Sequence, residues 1–140
     1  MSFSEYISPL VGRLILAWFF LAAALSYGNQ WDGTIQLMAL KGIPAAPVLL
    51  ATALIVMWLG GLSLVFGFQT RHGAVLLFGF TLVVSVAMHD FWKINNAIDR
   101  AADFDIFARN MAIAGGLLLL VGMGPGPVAI DSIKSKPPRR

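Results

Sequence analysis

The sequence contains no cysteine. This one absence removes disulfides, thiolate zinc sites, cysteine-ligated iron–sulfur clusters and a cysteine nucleophile, so any redox chemistry requires a bound cofactor or a partner. Charge is also scarce: 12% of residues are Asp, Glu, Lys or Arg, against about 25% in soluble domains. Only two histidines occur, His72 and His89. Seventeen residues at ~1.5 Å rise hold them about 25 Å apart on one helix, too far to share a haem or a metal within a chain. There is no nucleophile elbow, phosphate loop, metal-ligand cluster or paired intramembrane carboxylate. No ionisable residue falls in mid-span, which argues against an ion-coupled pump or proton relay.

What is present is apolar: 58% of the 140 residues are hydrophobic. A soluble domain of this size cannot hide that much apolar surface, whereas lipid can. A spanning helix needs about 20 mostly apolar residues. Four stretches qualify, at about 9–27, 46–68, 72–89 and 107–123. The predicted fold is therefore all-α, an integral membrane four-helix bundle running antiparallel, up-down-up-down, over residues 1–131. Residues 132–140 read as a basic, disordered cytoplasmic tail. Ala22-Ala23-Ala24-Leu25-Ser26 has the small residues of a signal-cleavage site, but Glu5 precedes the first basic residue, Arg13, and a retained first helix is the better reading.

The breaks are legible. Residues 28–47 contain Gly33, Gly42, Pro44 and Pro47 around a short amphipathic piece, Thr34 to Leu40, suited to the membrane surface. Gln69 to Gly73 forms a tight turn. Residues 90–105 read as a polar and aromatic connection, with Asp103 or Asp105 capping the fourth helix. Gly124-Pro125-Gly126-Pro127 ends it.

Lys134, Lys136, Arg139 and Arg140 give the net charge of +3 its C-terminal bias. A polybasic tail beside a membrane meets anionic headgroups rather than nucleic acid. Arg13 and Arg71 lie on the same side as that tail, and Arg13 is placed to snorkel towards headgroups. The distribution puts both termini in the cytoplasm. Helices in lipid pack through small residues, and Gly60-Gly61, Ser63 with Gly67, Gly73 and Ala112 with Gly116 supply them.

At the opposite, outer boundary stands His89-Asp90-Phe91-Trp92. Aromatic residues favour that boundary in any case. Imidazole, carboxylate and flat rings together are nevertheless what a quinone headgroup site uses: a proton donor or acceptor and a stacking wall. Arg109 and Asn110 begin the fourth helix on the same side, and Asp105 or Asp90 is expected to pair with Arg109. His89, Asp90, Trp92, Arg109 and Asn110 are thus the candidate cofactor-binding residues. Tyr27, Asn29, Trp31 and Asp32 complete the rim, and no catalytic residue stands out.

In order and spacing these pieces resemble the DoxX family of small four-helix bacterial membrane proteins, and in detail its inner-membrane branch. The matching segments are Gly12-Arg13, Asp32-Gly33-Thr34-Ile35-Gln36, Met38-Ala39 with Gly42-Ile43-Pro44, Gly60-Gly61, Gly67 to Arg71, His89 to Trp92, Arg109-Asn110, Gly115-Gly116 and Gly124-Pro125-Gly126. The resemblance implies the inner membrane. It also implies association with membrane oxidoreductases, since some relatives belong to quinone-reducing or oxidative-stress complexes. Relatives often carry a Lys near the end of the first helix and a Glu before the glycine pair; Tyr27 and Met57 stand there instead, as uncharged replacements for an ion pair. Three readings stay open: a redox-associated subunit or scaffold with a quinone or partner site; a non-catalytic structural or assembly subunit of a larger membrane complex; and a small-solute transporter, which would need a homo-oligomer to form a pore.

Overall fold

The computed structural model describes residues 2–134; Lys136, Pro137, Pro138, Arg139 and Arg140 of the expected tail lie outside them. Helices run α1 (Phe3–Asn29), α2 (Trp31–Leu40), α3 (Ala46–Phe66), α4 (Thr70–Met88), α5 (Ala97–Met123) and α6 (Ile130–Lys134), with a single 3₁₀ turn at Phe91–Lys93. Helices α1, α3, α4 and α5 are long and apolar enough to cross a membrane. Their outward faces carry large apolar side chains such as Ile15, Trp18, Val83 and Leu119. That exposure would be ruinous in water and suits lipid.

Close approach is made through glycine. A Cβ on Gly60 would overlap the Leu77 side chain, one on Gly61 would fall 2.7 Å from Leu21, and one on Gly73 would overlap Ser63. Between α1 and α3, Gly61 meets Leu21 while Gly28 meets Leu54. Between α3 and α4, Gly60 meets Leu77 while Gly73 meets Ser63. In each pair residue numbers rise along one helix as they fall along the other. Ala17, Phe20, Met57, Leu64, Leu77 and Leu117 fill the space between. With no hydrophobic gain available in lipid, this interdigitation supplies the cohesion.

The ends of the helices depart from the expected bounds in instructive ways. Helix α5 begins ten residues before the expected 107, because Asn96 caps it, its side chain accepting from the backbone N–H groups of Ile98 and Asp99. Neither Asp103 nor Asp105 is the cap; both lie within the helix. The amphipathic piece is a full helix, α2, whose Met38 packs on Ala46 and Leu50 of α3. Residues 132–134, expected to start the tail, belong to α6. At the other turn, Gly67 (φ 64) and Gln69 (φ 52) take the left-handed conformation that lets α4 follow α3 after three residues.

Candidate functional site

The last residues of α4 and the exposed start of α5 form one end of the bundle. His89 Nδ1 and Asp103 Oδ1 are hydrogen-bonded at 2.8 Å, both side chains largely covered. With the carboxylate accepting, Nδ1 carries the proton, and Nε2 has no partner among the described residues. Asp103 Oδ2 is buried without a hydrogen bond. Beside this pair, Asp90 accepts from Lys41 Nζ at 2.5 Å and lies 3.3 Å from Lys93 Nζ. The first contact ties the end of α2 to the 3₁₀ turn. Phe91 makes edge-to-face contacts with Trp92, Phe104 and Phe107 at centroid distances of 5.1, 5.1 and 5.3 Å. Such a cluster holds the turn rigid through quadrupole-matched packing.

Of the five residues expected to bind a cofactor, His89, Asp90 and Trp92 come together at this end. Asn110 is buried two turns further along α5 than Asp103, on the same helix face. Arg109 does not join them. It is exposed, and among the described residues it takes part in no ion pair. The expected pairing of Arg109 with Asp90 or Asp105 is therefore corrected: two lysines already neutralise Asp90, and Asp105 makes no ion pair among the described residues. Asp103 and Lys41, the partners that organise the end, were not singled out from sequence for this role. Asp103 is 14 residues from His89 across a turn, and only the early start of α5 places it there. Tyr27 is exposed and Met57 buried.

The other end of the bundle holds a second polar network. Arg13 is only 3% exposed. Its Nη1 and Nη2 donate to the carbonyls of Pro125 and Val128, each at 2.8 Å. Arg13 is thus an internal clamp on the segment after α5, not a snorkelling anchor, because unpaired carbonyls of the Gly-Pro turn lie within its reach. The same segment carries Asp131, whose carboxylate accepts from the Gln69 and Thr70 backbone N–H groups and from Thr70 Oγ1 at 2.8–2.9 Å. It caps α4 from outside. Burial pushes the Asp131 carboxyl up, but the hydrogen bonds from Thr70 and Gln69 and the charge of Lys134 outweigh it and hold the group below the usual carboxylate range. A depression at this end is lined by Gln69, Thr70, Arg71, His72, Pro125 and Asp131. Among the described residues no group of three His, Asp or Glu side chains could hold a metal ion.

Comparison with known proteins matches the DoxX family over residues 8–90. The chain is similar to inner membrane protein YqjF of Escherichia coli, 32% identical over 94% of this chain and 95% of that protein. It is also similar to inner membrane protein YphA of the same organism, 35% identical over 87% of this chain and 86% of that one. A shorter likeness, 28% over 51% of this chain and 27% of the relative, joins it to a Surfeit locus protein 4 homolog of Drosophila melanogaster. No solved structure matches.

Proposed function

Starting from the fact that the chain belongs to the DoxX family, we propose that it serves as a subunit or scaffold of a membrane redox system, with its working face at the His89 end. The observation that carries this reading is the His89–Asp103 pair, which fixes the imidazole by one nitrogen and leaves the other free beside an aromatic cluster. An imidazole so held can accept a proton from a quinol or from a partner's redox group while the carboxylate stabilises the resulting cation. Phe91, Trp92 and Phe107 offer the flat surface that a ring or a partner side chain would meet.

Arg13, Arg71 and Lys134 at the opposite end support an orientation with both termini in the cytoplasm of a bacterium and the His89 end outside. The test is a titration of the purified protein in nanodiscs with a short-chain quinone, read by quenching of Trp fluorescence. Saturable quenching that disappears in His89→Ala is expected. Linear, non-saturating quenching in both proteins would overturn the quinone site.

The structural or assembly reading draws on a different observation. The first two turns of α5 carry exposed Ile98 and Phe104, with Trp92 exposed nearby. Apolar side chains above the membrane boundary suit the docking of a partner protein. Copurification of a large complex that survives His89→Ala would favour this reading over the first.

A further inference from the structure

Two hollows meet at the turn that joins α3 to α4. The first is a groove of about 360 Å³, walled by Leu59, Leu62 and Phe66 of α3 and Leu76 of α4, with Gly60 and Gly73 between the walls. The four wall residues are exposed, so the groove opens on the lipid-facing side of the helix pair. Neither glycine has a side chain to fill it, and a methyl at either would overlap Leu77 or Ser63. The groove is thus a consequence of close packing. Along α3 it runs from Leu59 to Phe66, about 10 Å of helix rise. That length lies within one leaflet, half of the ~30 Å hydrocarbon layer. An unfilled hollow at this depth forfeits dispersion contacts, so an apolar occupant is favoured.

The second hollow is the depression that contains Arg71 and His72, and Gln69 lines both it and the groove. The two are therefore continuous through the turn. Phe68 also lines the groove, and Lys134 Nζ stands 4.7 Å from the centroid of its ring. Neither Arg71 nor Lys134 forms an ion pair among the described residues. The carboxylate of the depression, Asp131, is engaged by the Gln69 and Thr70 N–H groups and by the Thr70 hydroxyl. Two cations without a salt-bridge partner thus stand where the apolar groove reaches the turn.

We propose that the groove and its basic rim bind one anionic phospholipid, with an acyl chain along the walls from Phe66 to Leu59 and the phosphate held by Arg71 and Lys134. Arg71 offers phosphate oxygens a planar fork of donors, and Lys134 a point charge. Charge holds the headgroup and shape holds the chain. A zwitterionic lipid fits the groove equally well but brings a positive group towards two cations. The site lies at the end of the bundle opposite His89 and requires nothing of the redox reading.

The experiment is native mass spectrometry of the full chain, delipidated in mild detergent and titrated with phosphatidylglycerol or with phosphatidylcholine of identical chains. The unaltered protein is expected to bind the first about tenfold more tightly, the scale of two basic residues beside a headgroup. Arg71→Gln combined with Lys134→Gln should bind both lipids alike. Both side chains are exposed, and circular dichroism checks the helices; if the double variant fails to fold, each single variant is expected to lose part of the preference. Leu76→Trp fills the groove and should weaken both lipids several-fold, whereas Leu119→Trp, on the exposed face of α5, should weaken neither. Glycerol phosphate, a headgroup without chains, should not displace bound lipid. Equal affinity of the unaltered protein for the two lipids overturns the proposal. So does a preference that survives loss of both cations, which would belong to Lys136, Arg139 and Arg140. A Leu76→Trp effect no larger than that of Leu119→Trp removes the groove, and displacement by glycerol phosphate makes the site one for a soluble anion; either result overturns it as well.

Discussion

Arg13 and Asp131 fasten the segment after α5 at two points: the guanidinium binds its carbonyls at Pro125 and Val128, and the segment's own carboxylate at Asp131 caps α4. The C-terminal segment thereby stitches α1 to the turn between α3 and α4, two elements it does not adjoin in sequence. Arg13→Ala is expected to leave the carbonyls unserved and lower unfolding stability by about 1–3 kcal/mol. Denaturant titration in mild detergent measures this, with Arg13→Lys intermediate because an ammonium lacks the planar fork that spans two carbonyls.

The Asp131 cap makes this end sensitive to acid. Its carboxyl sits below the ordinary range when folded. The sign follows: the stabilisation is fully present above the unfolded-state value, about 3.9 for Asp, and is lost as pH falls through the lower folded value. Hydrogen exchange at the Gln69 and Thr70 amides, corrected for intrinsic rates, should stay slow above about pH 5 and accelerate only below the usual carboxylate range. Asp131→Asn should speed exchange at neutral pH and flatten the dependence.

Glycines of the seam separate cleanly into two groups. Gly60→Ala and Gly73→Ala drive a methyl into Leu77 and Ser63, while nothing lies within 4 Å of the corresponding position at Gly79 or Gly115. The first two are expected to cost about 1–3 kcal/mol through overpacking. The second two should be neutral or gain up to about 1 kcal/mol from helix propensity. Thermal unfolding in one detergent compares all four.

His89 and Asp103 should behave as a coupled pair. His89→Ala and Asp103→Ala are each expected to destabilise, and the double variant to fall short of their sum by about 0.5–3 kcal/mol. Additive losses would mean that the contact contributes nothing to the junction of α4 and α5.

Much of the bundle was legible because lipid imposes a simple length rule. Four apolar runs had to be spans, and the charge-free run within α3 was the plainest of them. The start of α5 escaped that rule, since residues 97–106 form helix outside the apolar run, stabilised by the Asn96 cap and not by hydrophobicity. Arg13 was misread for a related reason. Its carbonyl partners lie 112 and 115 residues away, and backbone acceptors leave no mark in a sequence. At the candidate site, His89, Asp90 and Trp92 were readable as one motif, whereas Asp103 and Lys41 enter only through the turn geometry and the seating of α2.

The central claim, a redox-associated subunit working through its His89 end, meets its most direct test in affinity copurification from native membranes in mild detergent, with an optical spectrum of the eluate. The account predicts a partner bearing an absorbing cofactor, retained by Gly115→Ala and lost from His89→Ala. A colourless single species that recruits no partner and binds no quinone would contradict it.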